Sequence, residues 1–145
     1  MPRNITRTHN IDLLRECGWS QISNTTVFEK GSSSLLSPAV SENTNGRYWF
    51  DIREVNLNRL GSDARLLIRI VPDLFVLTNL SEIAELLSDR LKDNRPHSGN
   101  VWGLELHLIA HENSTDLFNI KNTDLKVRVP LISRSELEQA LADDF

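Results

Sequence analysis

Asp51 and Arg53 end the aromatic run Arg47-Tyr48-Trp49-Phe50-Asp51-Ile52-Arg53, so an extended chain there places a carboxylate and a guanidinium together at a strand end. Such a carboxylate can ligate a hard metal ion, and the guanidinium beside it can hold a phosphate through two parallel N–H donors. Arg47, Tyr48 and Trp49 add a further cation and two aromatic faces, a set suited to phosphates and stacked bases. Arg59, Arg65 and Arg69 follow closely, and a local basic face is compatible with them. His107 and His111 have the spacing that brings two imidazoles to one metal on a helix. The alternation from Trp102 to Leu108 predicts a strand instead. On a strand the two rings stand roughly 13 Å apart, too far to share a zinc ion held about 2 Å from each nitrogen. Asp73, Glu105 and Asp116 are acids at strand ends that ordinary solvation accounts for. No Ser-His-Asp order, phosphate-cradling glycine loop or Cys-His pair stands out.

The elements that must position these groups follow from hydrophobic period. Ile11, Leu14 and Cys17 at helical spacing, stopped by Gly18, predict an opening helix, with the lone Cys17 as a small core residue. Ile22 to Lys30 reads as a strand. Residues 31–46, rich in serine, asparagine and glycine, read as a mobile loop broken at most by a short strand from Leu35 to Val40. Tyr48, Phe50 and Ile52 alternate with Trp49, Asp51 and Arg53, the clearest strand, and Val55 to Gly61 supplies a short helix or turn. Leu66–Val71 and Leu74–Leu77 are apolar runs joined by Pro72-Asp73, too close for a parallel crossover, so they pair antiparallel. Asn79 with Glu82, followed by Ile83, Leu86, Leu87 and Leu91, predicts a capped helix. Trp102 to Leu108 is a half-buried strand, a polar loop follows, and Lys126 to Leu131 is the last strand. Ser133-Arg134-Ser135-Glu136 is a capping box for a closing helix, with Ile132 and Leu137 as its hydrophobic staple. The expected fold is α+β, a single domain over 1–145, with one mixed central sheet of about five to seven strands flanked by three helices.

In order and spacing, Pro38-Ala39 and Asp51-Ile52-Arg53 resemble the active-site hairpin of the PD-(D/E)XK, or restriction-endonuclease-like, nucleases. In that superfamily a strand bearing Pro-Asp is followed at a short interval by Asp/Glu-x-Lys. The similarity spans Leu35 to Arg53, and the surrounding order of helix, strands, short helix and apolar strand is similar too. It implies a Mg²⁺-dependent DNA endonuclease with Asp51 as metal ligand. Two positions depart from the pattern. The first metal-binding aspartate falls at Ala39, which has no donor, and the lysine falls at Arg53, which cannot act as a base at its high pKa. The resemblance therefore implies a replacement ligand from Glu16 or Asp12 on the opening helix, from Glu29 or from Glu42, with Arg53 stabilising the transition state.

The 145 residues carry 39% hydrophobic and 25% charged residues, values of an ordinary globular domain, and no apolar run reaches the roughly 20 residues that span a bilayer. No secretory signal follows the basic N-terminus, so a cytoplasmic location is expected. A net charge of -4 is not that of a domain living mainly by phosphate contacts. Three readings follow: a divergent Mg²⁺-dependent nuclease using Asp51, Arg53 and Glu16 or Glu29; a nuclease-like domain binding DNA or RNA through Arg47, Tyr48, Trp49, Arg53 and Arg59 with impaired catalysis, the leading expectation; and, as the alternative, a non-enzymatic protein-interaction or accessory module in which Trp49 and Trp102 are core and Asp51-Arg53 is a surface pair. A protein partner or homo-oligomer is compatible with each.

Overall fold

Strict alternation of apolar residues builds the sheet that carries Asp51. The computed structural model describes residues 3–23, 25–44, 47–61, 63–70 and 73–142, apart from the side chains of 3–9, 43, 44 and 110. The first half of the chain runs α1 (Arg3–Glu16), β1 (Ser20–Gln21), β2 (Val27–Lys30), β3 (Ser33–Leu36), β4 (Ser41–Thr44), β5 (Arg47–Arg53), α2 (Glu54–Leu57), β6 (Arg65–Ile70) and β7 (Leu74–Asn79). After 3₁₀ turns over Leu80–Leu87 and Asp89–Leu91 come β8 (Asp93–Arg95), β9 (Gly99–Ile109), β10 (Ser114–Asn119), β11 (Asn122–Pro130), β12 (Ile132–Ser133) and α3 (Arg134–Ala142).

These strands form two stacked six-stranded sheets. One is antiparallel, in the order β11-β10-β9-β5-β4, with β8 paired to the start of β9. The other, β1-β2-β3-β6-β7-β12, is mixed because β3 and β6 run parallel. Tyr48, Phe50 and Ile52 of β5, with Trp102, Leu104 and Leu106 of β9, face Val27, Leu36, Leu66, Ile68 and Val76 of the mixed sheet. Each such side chain contributes about 1.5–3 kcal/mol by leaving water. On the far face of the mixed sheet, Phe28, Leu35, Leu67 and Phe75 meet Leu13 and Leu14 of α1, Trp19, and Leu137 and Leu141 of α3. The layers are therefore helices, mixed sheet, antiparallel sheet, and neither α1 nor α3 covers the outer face of the last.

The α+β class and the single domain hold, but the strands divide between two sheets rather than forming one. Both β5 and the antiparallel pair β6–β7 fall where periodicity puts them. Ser133 N–H bonds Glu136 Oε1 at 3.0 Å and Glu136 N–H bonds Ser133 Oγ at 3.2 Å, so the capping box forms. The expected strand over Ile22–Lys30 is a hairpin instead, turned at Ser23, whose φ is +45°. Within 31–46, β3 and β4 replace much of the expected loop. The stripe after Asn79 does not make an α-helix. Asn79 caps nothing, Ile83 breaks the helical geometry, and Thr78 Oγ1 takes Glu82 instead. Ile83 and Leu86 still bury between the sheets, so tertiary burial sets this segment's shape.

The polar stretch after Leu108 contains β10, a central strand. Thr115 and Asn119 are buried there with partners: Thr115 Oγ1 donates to His107 O, and Asn119 Nδ2 donates to Leu86 O at 2.9 Å. That amide occupies a 3₁₀-turn carbonyl with no partner inside its own turn. Cys17 is half-buried beside the helical core. Among the described residues no helix is long and apolar enough to cross a membrane.

Candidate functional site

Because the even-numbered residues of β5 face the core, Arg47, Trp49, Asp51 and Arg53 project from the outer face. Register sets Trp49 opposite Glu105 and Asp51 opposite Gly103. The β8–β9 hairpin turns through Gly99 at φ +72°, a conformation glycine adopts without a Cβ clash, and this folds Arg95 back over the same face. Arg95 Nη1 donates to Asp51 Oδ2 at 2.7 Å, and Arg95 Nε lies 3.5 Å from Asp93 Oδ2. Burial works against the guanidinium charge, but hydrogen bonding and attraction from Asp51, then Asp93, outweigh it and hold the Arg95 pKa above its ordinary value. Gly103 leaves room for this approach. A Cβ at that position would stand 2.9 Å from Ile120 Cδ1 and 3.3 Å from Arg95 Nη2.

The result is a cavity of ≈ 340 Å³ lined by Trp49, Asp51, Arg95, Gly103, Glu105 and Ile120. Asp51 Oδ1 is buried and has no hydrogen-bond partner, while Glu105 Oε1 has His107 Nε2 at 3.5 Å. Trp49 supplies a half-buried ring and Ile120 an exposed apolar rim. Chemically this is a small receptacle with an aromatic wall and two carboxylates. Its lining includes no serine, threonine, cysteine or lysine.

Arg53 lies just beyond, exposed, with Nε donating to Ser98 O at 3.2 Å. It lines a second cavity, also ≈ 340 Å³, with Glu54, Asn58, His97 and Asn100. Lys92 and then Asn100 hydrogen-bond the Glu54 carboxylate and lower its pKa.

The other residues expected at a site are dispersed. Glu16 is exposed on α1, beyond the mixed sheet, and Glu29 is exposed on β2 within that sheet. Asp51 points the opposite way from the other sheet, so neither glutamate reaches it. Ala39 brings no donor. Tyr48 is buried on the inner face, its phenol pKa raised chiefly by burial and further by Glu42, so it offers no stacking surface. Arg59 donates to Asn56 Oδ1, and Asn56 Nδ2 donates to Thr26 Oγ1, which ties this arginine toward the mixed sheet rather than toward Arg53. Arg47 is exposed on the outer face opposite His107.

Mg²⁺ requires several converging oxygen donors in near-octahedral array. Among the described residues no three His, Cys, Asp or Glu side chains converge, and the Asp51 carboxylate faces a guanidinium. The donor set does not fit the ion. Compared with protein-family models, curated proteins and solved structures, the chain matches none.

Arg95, Gly103 and Ile120 lie outside the residues that type and spacing single out, and Glu105 lines the cavity although its place on a strand suggests ordinary solvated surface. Gly103 was the available signal, because a glycine inside an otherwise alternating strand marks a close approach. Arg95 carries no such mark, since only the hairpin register brings it to Asp51.

Proposed function

We propose that this chain is a non-enzymatic protein-interaction module whose binding surface is the outer face of the antiparallel sheet around Trp49 and Asp51. The observation that carries the reading is the cavity in that face, where an aromatic wall and an apolar rim surround two carboxylates, one of which, Asp51, keeps an oxygen with no hydrogen-bond partner in the chain. Interfaces concentrate binding energy in such places, around aromatic anchors and a few desolvated polar groups. Two cations of the face are held by carboxylates, while Arg47 is exposed and Arg53 donates to a backbone carbonyl. Arg95 is tied to Asp51 and Asp93, and Arg128 is tied to Asp116 and Glu112. A phosphate backbone needs cations free to replace its counterions, and a net charge of -4 adds nothing to attract one.

Selection from a random-peptide display library tests this. Wild type is expected to enrich a consensus that Trp49→Ala no longer enriches, and single- and double-stranded DNA and RNA are expected to be neither shifted nor cut, with or without Mn²⁺. A salt-sensitive shift lost in Arg53→Ala would overturn the reading in favour of a nucleic-acid-associated domain. Metal-dependent cleavage lost in Asp51→Ala would overturn it in favour of an endonuclease.

A further inference from the structure

We infer that the cavity between Trp49, Asp51 and Glu105 receives a cationic side chain, arginine above lysine, from a partner protein segment. The inference rests on the interaction-module reading and adds the chemistry of what is bound. Three features argue for it. First, the charge at the cavity is unbalanced toward acid. Asp51, Glu105 and neighbouring Asp93 face Arg95, whose single charge is already divided between Asp51 and Asp93. Lys121 approaches only Asp93, at 3.7 Å. Among the described residues Glu105 has no permanent cation within ion-pair distance, only His107. An anionic guest would meet these carboxylates, and a neutral one would leave Glu105 without a permanent counter-charge in a half-buried site.

Second, the walls suit a flat cation with an apolar stem. Trp49 presents the ring type that attracts cations most strongly, and Ile120 offers apolar surface for a methylene chain. Asp51 and Glu105 lie on adjacent strands, one register step apart on the same face, so their Cα atoms are roughly 7–8 Å apart. A guanidinium fork with several donors spans two such acceptors better than a compact ammonium does. The volume of ≈ 340 Å³ lies at the lower end of the roughly 300–1,000 Å³ typical of small-ligand pockets, enough for one side chain.

Third, the molecule supplies its own precedent. The guanidinium of Arg95 is laid along this sheet face over Gly103 and bonded to Asp51, so the face already accommodates the group proposed as its guest.

The test titrates the full chain with three capped tripeptides, acetyl-Gly-Arg-Gly-amide, its lysine counterpart and its citrulline counterpart. Citrulline keeps the shape of arginine and removes the charge. The readout is the ¹⁵N–¹H indole cross-peak of Trp49. The arginine peptide is expected to shift it saturably, with lysine weaker and citrulline weaker by about tenfold or more, the scale of one charge-assisted hydrogen bond. Glu105→Gln is expected to weaken arginine binding by about the same factor at unchanged melting temperature. Equal affinities for arginine and citrulline, or no saturable shift with any peptide, overturn the inference. The wild-type comparison stands even if the variant folds poorly. An uncharged consensus that depends on Trp49 in the display selection would sink this inference and leave the interaction module intact. Loss of the module itself would show as no enrichment at all.

Discussion

Replacing Asp51 by alanine separates a structural carboxylate from a catalytic one through the sign of the stability change. The Asp51 side chain is 16% exposed and donates nothing, accepting from Arg95 at 2.7 Å, while Arg95 is 32% exposed and keeps Asp93 at 3.5 Å. A hydrogen bond to a charged group is worth about 1.5–3 kcal/mol, and because Arg95 can turn to water or lean on Asp93, solvent screening reduces this to about 1–2 kcal/mol. Unfolding entropy of about 2.1 cal/mol/K per residue gives about 0.3 kcal/mol/K for this chain, so the midpoint should fall by about 3–7 °C. A carboxylate held among other carboxylates for metal chemistry would behave the other way, because its removal relieves like-charge repulsion and typically stabilises the fold. The assay is a double-mutant cycle of Asp51→Ala and Arg95→Ala by urea and thermal unfolding. A coupling energy of about 1–2 kcal/mol is expected. A midpoint that is unchanged or raised in Asp51→Ala, or a coupling below about 0.3 kcal/mol, would refute the reasoning.

Asn119→Ala should cost about 2–3 kcal/mol, because the fully buried amide serves Leu86 O at 2.9 Å and Leu91 O at 3.4 Å, and hydrogen exchange should rise first over Leu80–Leu91. An urea midpoint near wild type would contradict it. Lys30 Nζ donates to Cys17 O just past α1, at 3.0 Å, and to Leu141 O near the end of α3, at 3.1 Å, so one cation serves two helix C-termini. Lys30→Met keeps the stem and loses both bonds, and a loss of about 1–2 kcal/mol in chemical denaturation is expected. Hydrogen bonds from the Ser133 backbone and then its hydroxyl hold Glu136 below its ordinary 4.5, and Lys92 with Asn100 does the same for Glu54. Both folded-state pKa values are depressed, so their contribution is complete above the unfolded value and is lost as pH falls through the folded one. Stability should therefore decline with acidification below 4.5, and Glu136→Gln should make that decline shallower in urea titrations.

Where one side chain in two meets a core, the pattern is written in the chain itself, and this is why β5, β9 and the β6–β7 pair were legible. The capping box was legible for a similar reason, since both of its bonds join residues three apart. The stripe after Asn79 misled because its apolar residues satisfy a helical period while the space between the sheets imposes 3₁₀ turns. Ser114 to Asn119 concealed a central strand because its inward Thr115 and Asn119 are polar, and their partners, His107 O and Leu86 O, belong to other elements. Composition cannot show that a buried polar group will be satisfied.

The sequence by itself determined that Asp51 and Arg53 share one face of a strand, because a period of two leaves no other arrangement once Phe50 and Ile52 are buried. It also determined the α+β class. Only the tertiary structure decided what Asp51 faces. Folding the strands into two stacked sheets sends Glu16 and Glu29 to other layers, while the β8–β9 hairpin delivers Arg95, which lies 44 positions away in the chain. Sequence pattern records local period and local capping. The pairing of distant strands rests on how two whole faces bury against each other, and that choice sets Asp51 against Arg95 in one cavity.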